Sequence, residues 1–200
     1  MKKQFALVLV LLAVVSVTAQ RLKIQEGDFK NLKGIDTYSL AFDYTDVQIP
    51  KFDNEEEFLK DKMDKREEKE AGDGERFKKE WFNDRPERYH PKFIESFNKR
   101  FDDGEVKVTE DPSEYTMKIH TTKIYPGYNV GIVRHNAEID VTFSIFKTDE
   151  EGNVLFEGSY KDVQGNGAMG YDYNSGYRIS ECYAKLAKNI AGLLKKKVLK

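Results

Sequence analysis

The chain has 200 residues, of which 39% are apolar and 12% are aromatic, and its formal net charge is -2. This length and this apolar content are typical of one domain with a sizeable core. The weak negative charge excludes the basic footprint of nucleic-acid-binding proteins, so we do not expect nucleic acid as a partner.

The first twenty residues, MKKQFALVLVLLAVVSVTAQ, have the pattern of a secretory signal peptide. Two lysines precede an unbroken apolar run over 5–15, and Val17 and Ala19 suit a signal peptidase that cuts after Ala19. The run is shorter than the roughly 20 residues that cross a bilayer. We therefore predict a signal peptide at 1–19 and an exported mature chain, periplasmic or secreted, with no stable membrane span. A buried amino-terminal helix is the alternative, but the run has no polar face.

The segment IDTYSLAFDYTDV (35–47) alternates between apolar and polar side chains. Tyr38, Leu40 and Phe42 share one side of an extended chain. A period of two is typical of a strand with one buried face, so we predict such a strand here. Pro50 then prevents the strand from continuing.

Residues 53–80 form a charged segment with twelve acidic and eight basic side chains and few large apolar ones. Pairs such as Glu56 and Lys60 place opposite charges one helical turn apart, which stabilises a solvated helix. The sequence AGDGE (71–75) predicts a break. We interpret the segment as a charged helical insertion on the surface. The alternative is a mobile arm that docks on a partner.

The next segment, WFNDRPERYHPKFIESFNKRF, predicts a short helix near 91–101 that packs inward. Phe93 and Phe97 recur at helical spacing, and Pro91 suits a first helical position. Pro86 and Pro91 together predict an irregular path before this helix.

Three further segments, 114–125, 135–146 and 154–163, alternate between apolar and polar side chains and predict strands. The loop DEEGN (149–153) predicts a hairpin between the last two. Because the connections are too short for crossover helices, we expect consecutive antiparallel strands with one wet face. A parallel Rossmann sheet is excluded for this half of the chain.

The glycine loop GNGAMG (165–170) matches the G-x-G-x-x-G dinucleotide fingerprint letter for letter. That site requires a parallel strand before the loop and a second parallel strand after the helix. Here the loop follows antiparallel strands, and only one more helix is predicted beyond it. We interpret the glycines instead as residues that let a strand end bend and let the loop cross close to the next helix.

The last segment predicts an amphipathic helix that has Ser175 as its cap and lysines in its final turn. Its apolar stripe consists of Ile179, Tyr183, Leu186, Ile190 and Leu193. The stripe is expected to cover the sheet. The predicted fold is therefore an α+β two-layer sandwich, with a mainly antiparallel sheet of about four to five strands under this helix and the helix near 91–101.

Cys182 is the only cysteine and lies on the apolar face of the last helix. We predict a core thiol, and a reactive or intermolecular thiol is the alternative. The predicted cleavage point has no cysteine near it, so we expect no lipid anchor. The mature chain, 20–200, is predicted to be a single α+β domain without a disulfide.

Tyrosines are concentrated in two glycine-containing loops, and we predict these residues as an interaction surface. They are Tyr125, Tyr128, Tyr171, Tyr173 and Tyr177. Tyrosine suits such a surface because its ring is apolar and its tip is polar. The alternative is that the rings fold back and cap the two ends of the core.

No pattern of catalytic or metal-binding residues stands out in the sequence. His90, His120 and His135 share no ligand spacing with one another. Glu138 and Asp140 share a strand face, where two acids are most simply explained by solvation. We therefore predict no catalytic residue, metal site or cofactor.

From about residue 93 to 198 the chain resembles small bacterial envelope proteins whose fold is similar to the amino-terminal domain of TolB and to CsgG-like secretion accessory proteins. The resemblance rests on the hairpin KTDEEGNVLFEG, the GNGAMG loop and the long last helix. It implies a helix packed across a sheet and a role in the cell envelope. The charged segment at 53–80 has no counterpart in these families, and the resemblance transfers no functional residue.

These patterns predict an exported, non-enzymatic binding protein of the bacterial cell envelope. Its partner would be an envelope protein or another envelope component, bound through the tyrosine loops or the charged helix. The alternative is a small-molecule binding protein or hydrolase with its site at the loop end of the sheet, around Tyr128 and Tyr173. A deep pocket with converging polar groups at that end favours the alternative, and a flat surface favours the first hypothesis.

Overall fold

The computed structural model describes residues 21–101, 103–130, 133–165 and 174–199. It has the predicted α+β architecture, a six-stranded sheet with helices packed on one face. The predicted signal peptide at 1–19 lies outside the described residues. Among the described helices, none is both long enough and apolar enough to span a membrane.

The chain forms eight strands and four α-helices in the described residues. The strands are β1 (Lys23–Gly27), β2 (Thr37–Asp43), β3 (Lys107–Thr109), β4 (Tyr115–Tyr125), β5 (Tyr128–Asn129), β6 (Arg134–His135), β7 (Glu138–Lys147) and β8 (Val154–Gln164). The helices are α1 (Glu55–Glu67), α2 (Asp73–Asp84), α3 (His90–Asn98) and α4 (Ser175–Lys197), with a 3-10 helix at Phe29–Leu32 and a π-helical turn at Arg85–Tyr89.

The main sheet has the order β1-β8-β7-β4-β2-β3, and β5 pairs with β6 as a separate two-stranded ribbon. The predicted antiparallel run is confirmed, because β4, β7 and β8 are antiparallel neighbours. β2 differs, since it runs parallel to both β3 and β4. The three helices between β2 and β3 carry the chain back to the starting end of the sheet, which makes parallel pairing possible.

Two edge strands bring the sheet to six, where the alternation in the sequence predicts four to five. β1 is exposed along its whole length, so it has no alternating pattern to recognise. β3 has only three residues, and the side chain of Asn98 in α3 holds it in place by pairing with both backbone groups of Val108, at 2.9 and 3.0 Å.

The core lies between the sheet and α4. Met117, Ile145 and Phe156 are fully buried and stand side by side on β4, β7 and β8. The predicted stripe of α4 faces them, and four of its five members are fully buried: Ile179, Tyr183, Leu186 and Ile190. The cap of this helix is Asn174 rather than Ser175, because the Asn174 side chain accepts a hydrogen bond from the Tyr177 backbone.

The charged segment contains two helices, α1 and α2, that form a hairpin. The break lies at 68–72, where Gly72 adopts a left-handed backbone conformation that glycine tolerates. Phe58 of α1 packs on Trp81 of α2, with ring centroids 4.9 Å apart. The few large apolar residues of the segment are therefore its buried side, and the charges occupy the opposite face.

The irregular path expected between Pro86 and Pro91 is a π-helical turn that joins α2 to α3 without leaving the helical conformation. The His90 backbone donates a hydrogen bond to the Arg85 carbonyl, five residues back. The wider turn accommodates both prolines near starts of helical segments, where a missing N–H costs least.

The glycine loop begins at Gly165, and residues 166–170 lie outside the described residues. The strand before it, β8, has antiparallel neighbours on both sides, so the described strands do not form the parallel unit of a dinucleotide site. A Cβ atom on Gly165 would overlap the Glu181 carbonyl carbon and would lie 2.7 Å from the Cys182 nitrogen. Gly165 therefore lets the loop touch the backbone of α4.

We predict that Gly165→Ala lowers the free energy of unfolding by about 2 kcal/mol, because the added methyl group overlaps helix backbone that has little room to move. Gly152→Ala is the matched control, since nothing lies within 4 Å of its added Cβ. Urea unfolding of the two variants and the unsubstituted chain measures the difference. Equal stabilities for the two variants would contradict the close crossing.

Candidate functional site

A cavity of about 600 Å³ opens at the end of the sheet where the predicted tyrosine turn lies. Its walls come from the α1–α2 hairpin, the loop at 49–52, the turn after β4 and the first turn of α4. We call it the hairpin cavity. Its size falls within the range of small-molecule sites, about 300 to 1,000 Å³.

Six aromatic side chains line the hairpin cavity: Phe52, Phe58, Phe77, Trp81, Tyr125 and Tyr128. The inner ones form a connected floor, in which the Phe58 ring lies 5.3 Å from Phe52 and 4.9 Å from Trp81. The Trp81 indole N–H donates to the Glu55 carboxylate at 2.7 Å, which orients its ring. The floor is therefore apolar and firmly packed.

Among the described residues, four basic side chains line the cavity against two acidic ones. They are Lys51, Lys62, Arg66 and Arg178, against Glu80 and Asp84. Two of the cations lie over the aromatic floor rather than away from it. The Lys62 ammonium is 5.6 Å from the ring centroids of both Phe52 and Phe58, and the Arg66 guanidinium is 4.6 Å from that of Phe77.

The residue before the loop at 49–52, Gln48, is bound to β4 through both of its backbone groups: its N–H donates to the Thr122 carbonyl, and its carbonyl accepts from the Ile124 N–H, each at 2.9 Å. It closes with a hydrogen bond from the Phe52 nitrogen to the Ile49 carbonyl at 3.1 Å. Pro50 and Lys51 occupy its two central positions, and the φ of Lys51 is 77°. This is the pattern of a type II turn, in which glycine is usual at the position that Lys51 takes.

Arg178 of α4 holds the turn after β4, which forms the opposite wall of the cavity. Its guanidinium donates to the carbonyls of Pro126 and Gly127, each at 3.1 Å, and its side chain is almost fully buried. Because these carbonyls belong to the turn that carries Tyr125 and Tyr128, the first part of α4 sets the position of both tyrosines.

Asp84 lies at the inner end of the cavity and is buried. Its carboxylate pairs with Arg88 at 2.7 Å and lies so close to Gly176 that a Cβ atom there would require the carboxylate to move. Burial raises the pKa of Asp84 to about 6, although Arg88 acts in the opposite direction. The positive end of α4 is a favourable place for a carboxylate.

A buried cluster of aromatic and hydroxyl groups lies beneath the cavity. The Tyr89 ring stacks on Tyr183, and the Tyr183 hydroxyl is 2.7 Å from that of Thr121. The Tyr89 hydroxyl is the buried side-chain polar atom without a hydrogen-bond partner in the part of the chain that the structure describes. His90 lies 3.1 Å from the Tyr44 hydroxyl, and burial, aided by Arg85, lowers its pKa to about 4.

The predicted tyrosines do not all share one place. Tyr125 and Tyr128 line the cavity, and Tyr128 also packs on His135 at 4.7 Å. Tyr177 is outside the lining and lies under the Arg88 guanidinium, 4.4 Å from its ring centroid. Tyr171 and Tyr173 fall outside the described residues.

The sequence predicts the charged helix as a possible binding surface, but it singles out none of the basic residues of the cavity. Phe58, Lys62 and Arg66 are spaced four residues apart, so they share one face of α1, and this spacing was the available signal. The surplus of charges in the segment concealed it. Cys182 is fully buried, and burial raises its pKa to about 12, which is the behaviour of a core thiol. No group of three potential ligand side chains in the described residues is placed to hold a metal ion.

Comparisons with known proteins leave the family open. No family model matches the sequence, and no curated protein matches it. Among solved structures, the chain is similar to a PelC dodecamer from Paraburkholderia phytofirmans, at 9% identity, covering 90% of this chain and 99% of that chain, with a TM-score of 0.38. A likeness of this size carries no argument about function. The resemblance to TolB-like and CsgG-like proteins stays a prediction.

We predict opposite pH responses from Asp84 and His90. The folded chain holds the Asp84 proton up to a pH of about 6, against an ordinary pKa of 3.8, so this residue makes stability fall as the pH rises through that window. The folded chain excludes a proton from His90 down to a pH of about 4, against an ordinary pKa of 6.5, so stability rises with pH there.

Urea unfolding between pH 4 and 6.5 tests this pair. Relative to the unsubstituted chain, Asp84→Asn should make the free energy of unfolding rise more steeply with pH, because only the His90 effect remains. His90→Gln should make the free energy of unfolding fall with pH, because only the Asp84 effect remains. Each substitution should change the total variation over the window by roughly 2 kcal/mol. The slope within each variant is the readout, so a general loss of stability does not affect it. Parallel profiles for all three proteins would contradict the assignment.

Proposed function

We propose that the protein is an exported, non-enzymatic binding protein of the bacterial cell envelope that holds a small ligand in the hairpin cavity. The observation that carries this proposal is the convergence of three separate chain segments on one aromatic cavity. The loop at 49–52, the α1–α2 hairpin and the turn with Tyr128 each supply a wall. A concave site with an apolar floor and a few polar groups is typical of ligand recognition.

Export rests on the signal-peptide pattern at 1–19, and the envelope location is supported by the resemblance of 93–198 to envelope proteins. Because the site is concave, it fits a small ligand better than it fits a flat protein surface. A pocket at this end of the sheet is the arrangement expected of the alternative, a small-molecule binding protein.

Binding is favoured over hydrolysis by the side chains of the cavity wall. The described lining includes no histidine and no cysteine. Its buried acid, Asp84, is already paired with Arg88, so it is poorly placed to activate a water molecule. The side chains of the cavity wall therefore suit the binding of a ligand better than its hydrolysis.

Trp81 provides a direct test because it is the single tryptophan of the chain and lies in the cavity floor. We predict that the neutral fluorophore N-phenyl-1-naphthylamine binds saturably and quenches Trp81 by energy transfer. Ser175→Phe places a ring at the cavity wall and should weaken this binding about tenfold or more, since it removes space the probe needs. Ser144→Phe, on the polar face of β7, is the matched control and should bind normally.

Equal affinity of Ser175→Phe and Ser144→Phe for the probe would overturn the cavity as the binding site. Thermal unfolding of both variants, measured in parallel, shows whether each is folded. A shift of the melting temperature by the probe in the unsubstituted chain and in Ser144→Phe, but not in Ser175→Phe, supports the proposal independently of fluorescence.

A second candidate function is the docking of an envelope protein on the β5–β6 ribbon. Tyr128 lies in β5, and Val130 and Val133 lie in the connection between β5 and β6, where they are 66% and 48% exposed. Apolar groups gathered at one tip are more typical of an interface than of a free surface.

We predict under this second candidate that Val130→Asp with Val133→Asp abolishes cross-linking of the chain to one defined envelope protein. Ile24→Asp is the control, because Ile24 is 50% exposed on β1 and away from the ribbon. Cross-linking in an envelope fraction followed by mass spectrometry measures the partner. Recovery of the same partner with the double variant would exclude the ribbon.

A further inference from the structure

We propose that the ligand of the hairpin cavity is an amphiphilic organic anion. Its acidic group, a carboxylate, phosphate or sulfonate, is bound by Lys51 and Lys62, and its ring or acyl body lies on the aromatic floor. This inference rests on the proposed function, since it names the chemical class of the ligand that occupies the same cavity.

Lys62 is placed to bind an anionic group at the cavity wall. It lies over Phe52 and Phe58, so its ammonium points across the cavity floor. Its ion pair with Asp61, at 3.2 Å, is shared, because Asp61 also pairs with Lys65 at 2.5 Å. Asp61 therefore keeps a partner when Lys62 turns toward a ligand, which lowers the cost of that contact.

Lys51 contributes a second cation from the facing loop. Within the described residues it makes no ion pair, and its side chain is exposed at the cavity mouth. Its backbone holds the left-handed conformation at the turn position where glycine is usual. A non-glycine residue in this conformation is strained, and strained residues are frequent at ligand-binding sites. Contact between the Lys51 ammonium and an anionic ligand accounts for a lysine at this position.

The charges of the wall favour an anion. Of the two acids in the lining, Asp84 is paired with Arg88 at 2.7 Å, which offsets its negative charge. Glu80 is exposed. Arg66 lies on the same face of α1 as Lys62 and adds to the positive potential, although it also pairs with Asp73 at 3.1 Å.

The floor requires the rest of the ligand to be apolar. Phe58, Phe77 and Trp81 are already buried by their neighbours, so the apolar surface left open to a ligand is that of Phe52, Tyr125 and Tyr128, which are half-buried or exposed. A small inorganic anion would leave this surface uncovered. An anion attached to a ring or an acyl chain covers it and removes apolar area from water.

Two fluorophores that differ by one sulfonate test the proposal. They are N-phenyl-1-naphthylamine, which is neutral, and 1-anilinonaphthalene-8-sulfonate, which carries the same ring system with an anionic group. The dissociation constant of each is measured by energy transfer from Trp81. We expect the unsubstituted chain to prefer the sulfonate by about tenfold, and this preference to decline with added salt.

The charge variants isolate the two lysines. The double variant Lys51→Gly with Lys62→Gln should lose most of the preference for the sulfonate and keep its affinity for the neutral probe. The turn is not harmed by the first change, because glycine is the residue its geometry favours. Lys60→Gln is the matched control, since Lys60 is an exposed lysine of α1 outside the cavity lining, and its loss should keep the preference.

The outcomes separate this inference from the proposed function. If both probes bind equally and Ser175→Phe weakens both, the cavity binds ligands and the anion assignment is wrong. If the preference survives in the double variant, Lys51 and Lys62 are not the anion site. If neither probe responds to Ser175→Phe, the proposed function itself fails. A preference lost in the double variant and kept in Lys60→Gln establishes the inference.

Discussion

The placement of the helical layer on the sheet depends on one buried side chain, Tyr183 of α4. Its hydroxyl bonds with that of Thr121 in β4 at 2.7 Å, and its ring stacks on Tyr89, with centroids 5.1 Å apart. A buried hydroxyl is costly to leave unpaired, so this bond favours one rotation of α4 above the sheet. The stack then positions the π-helical turn, and with it the direction in which α2 leaves the core.

The hairpin cavity follows from that geometry. The π-helical turn keeps α2 and α3 in one helical path, and the α1–α2 hairpin lines the same cavity as the turn that Arg178 holds. The hairpin presents charges to water on one side and rings to the cavity on the other. Its long cations can reach both, since Lys and Arg carry apolar stems below charged tips.

The elements with one buried face were predictable. β4, β7 and β8 show the period of two, and α4 shows a stripe at helical spacing, because a half-buried element must place its apolar residues at its own period. β1 and β3 carry no such signal: an exposed edge strand and a three-residue strand form because neighbours offer free backbone groups. Of the candidate site, Tyr125 and Tyr128 were anticipated, and Lys51, Lys62 and Trp81 were not.

The sequence by itself determined the α+β class, the covering of the sheet by α4 and the core position of Cys182, since each follows from local periodicity. Only the tertiary structure decided the parallel pairing of β2 with β4, the packing of the charged segment as a hairpin and the meeting of Lys51 with Lys62 across a cavity. These features join residues far apart in the chain, and no local pattern encodes a distance between them. They arise because apolar faces left in water and buried polar groups left unpaired both cost free energy.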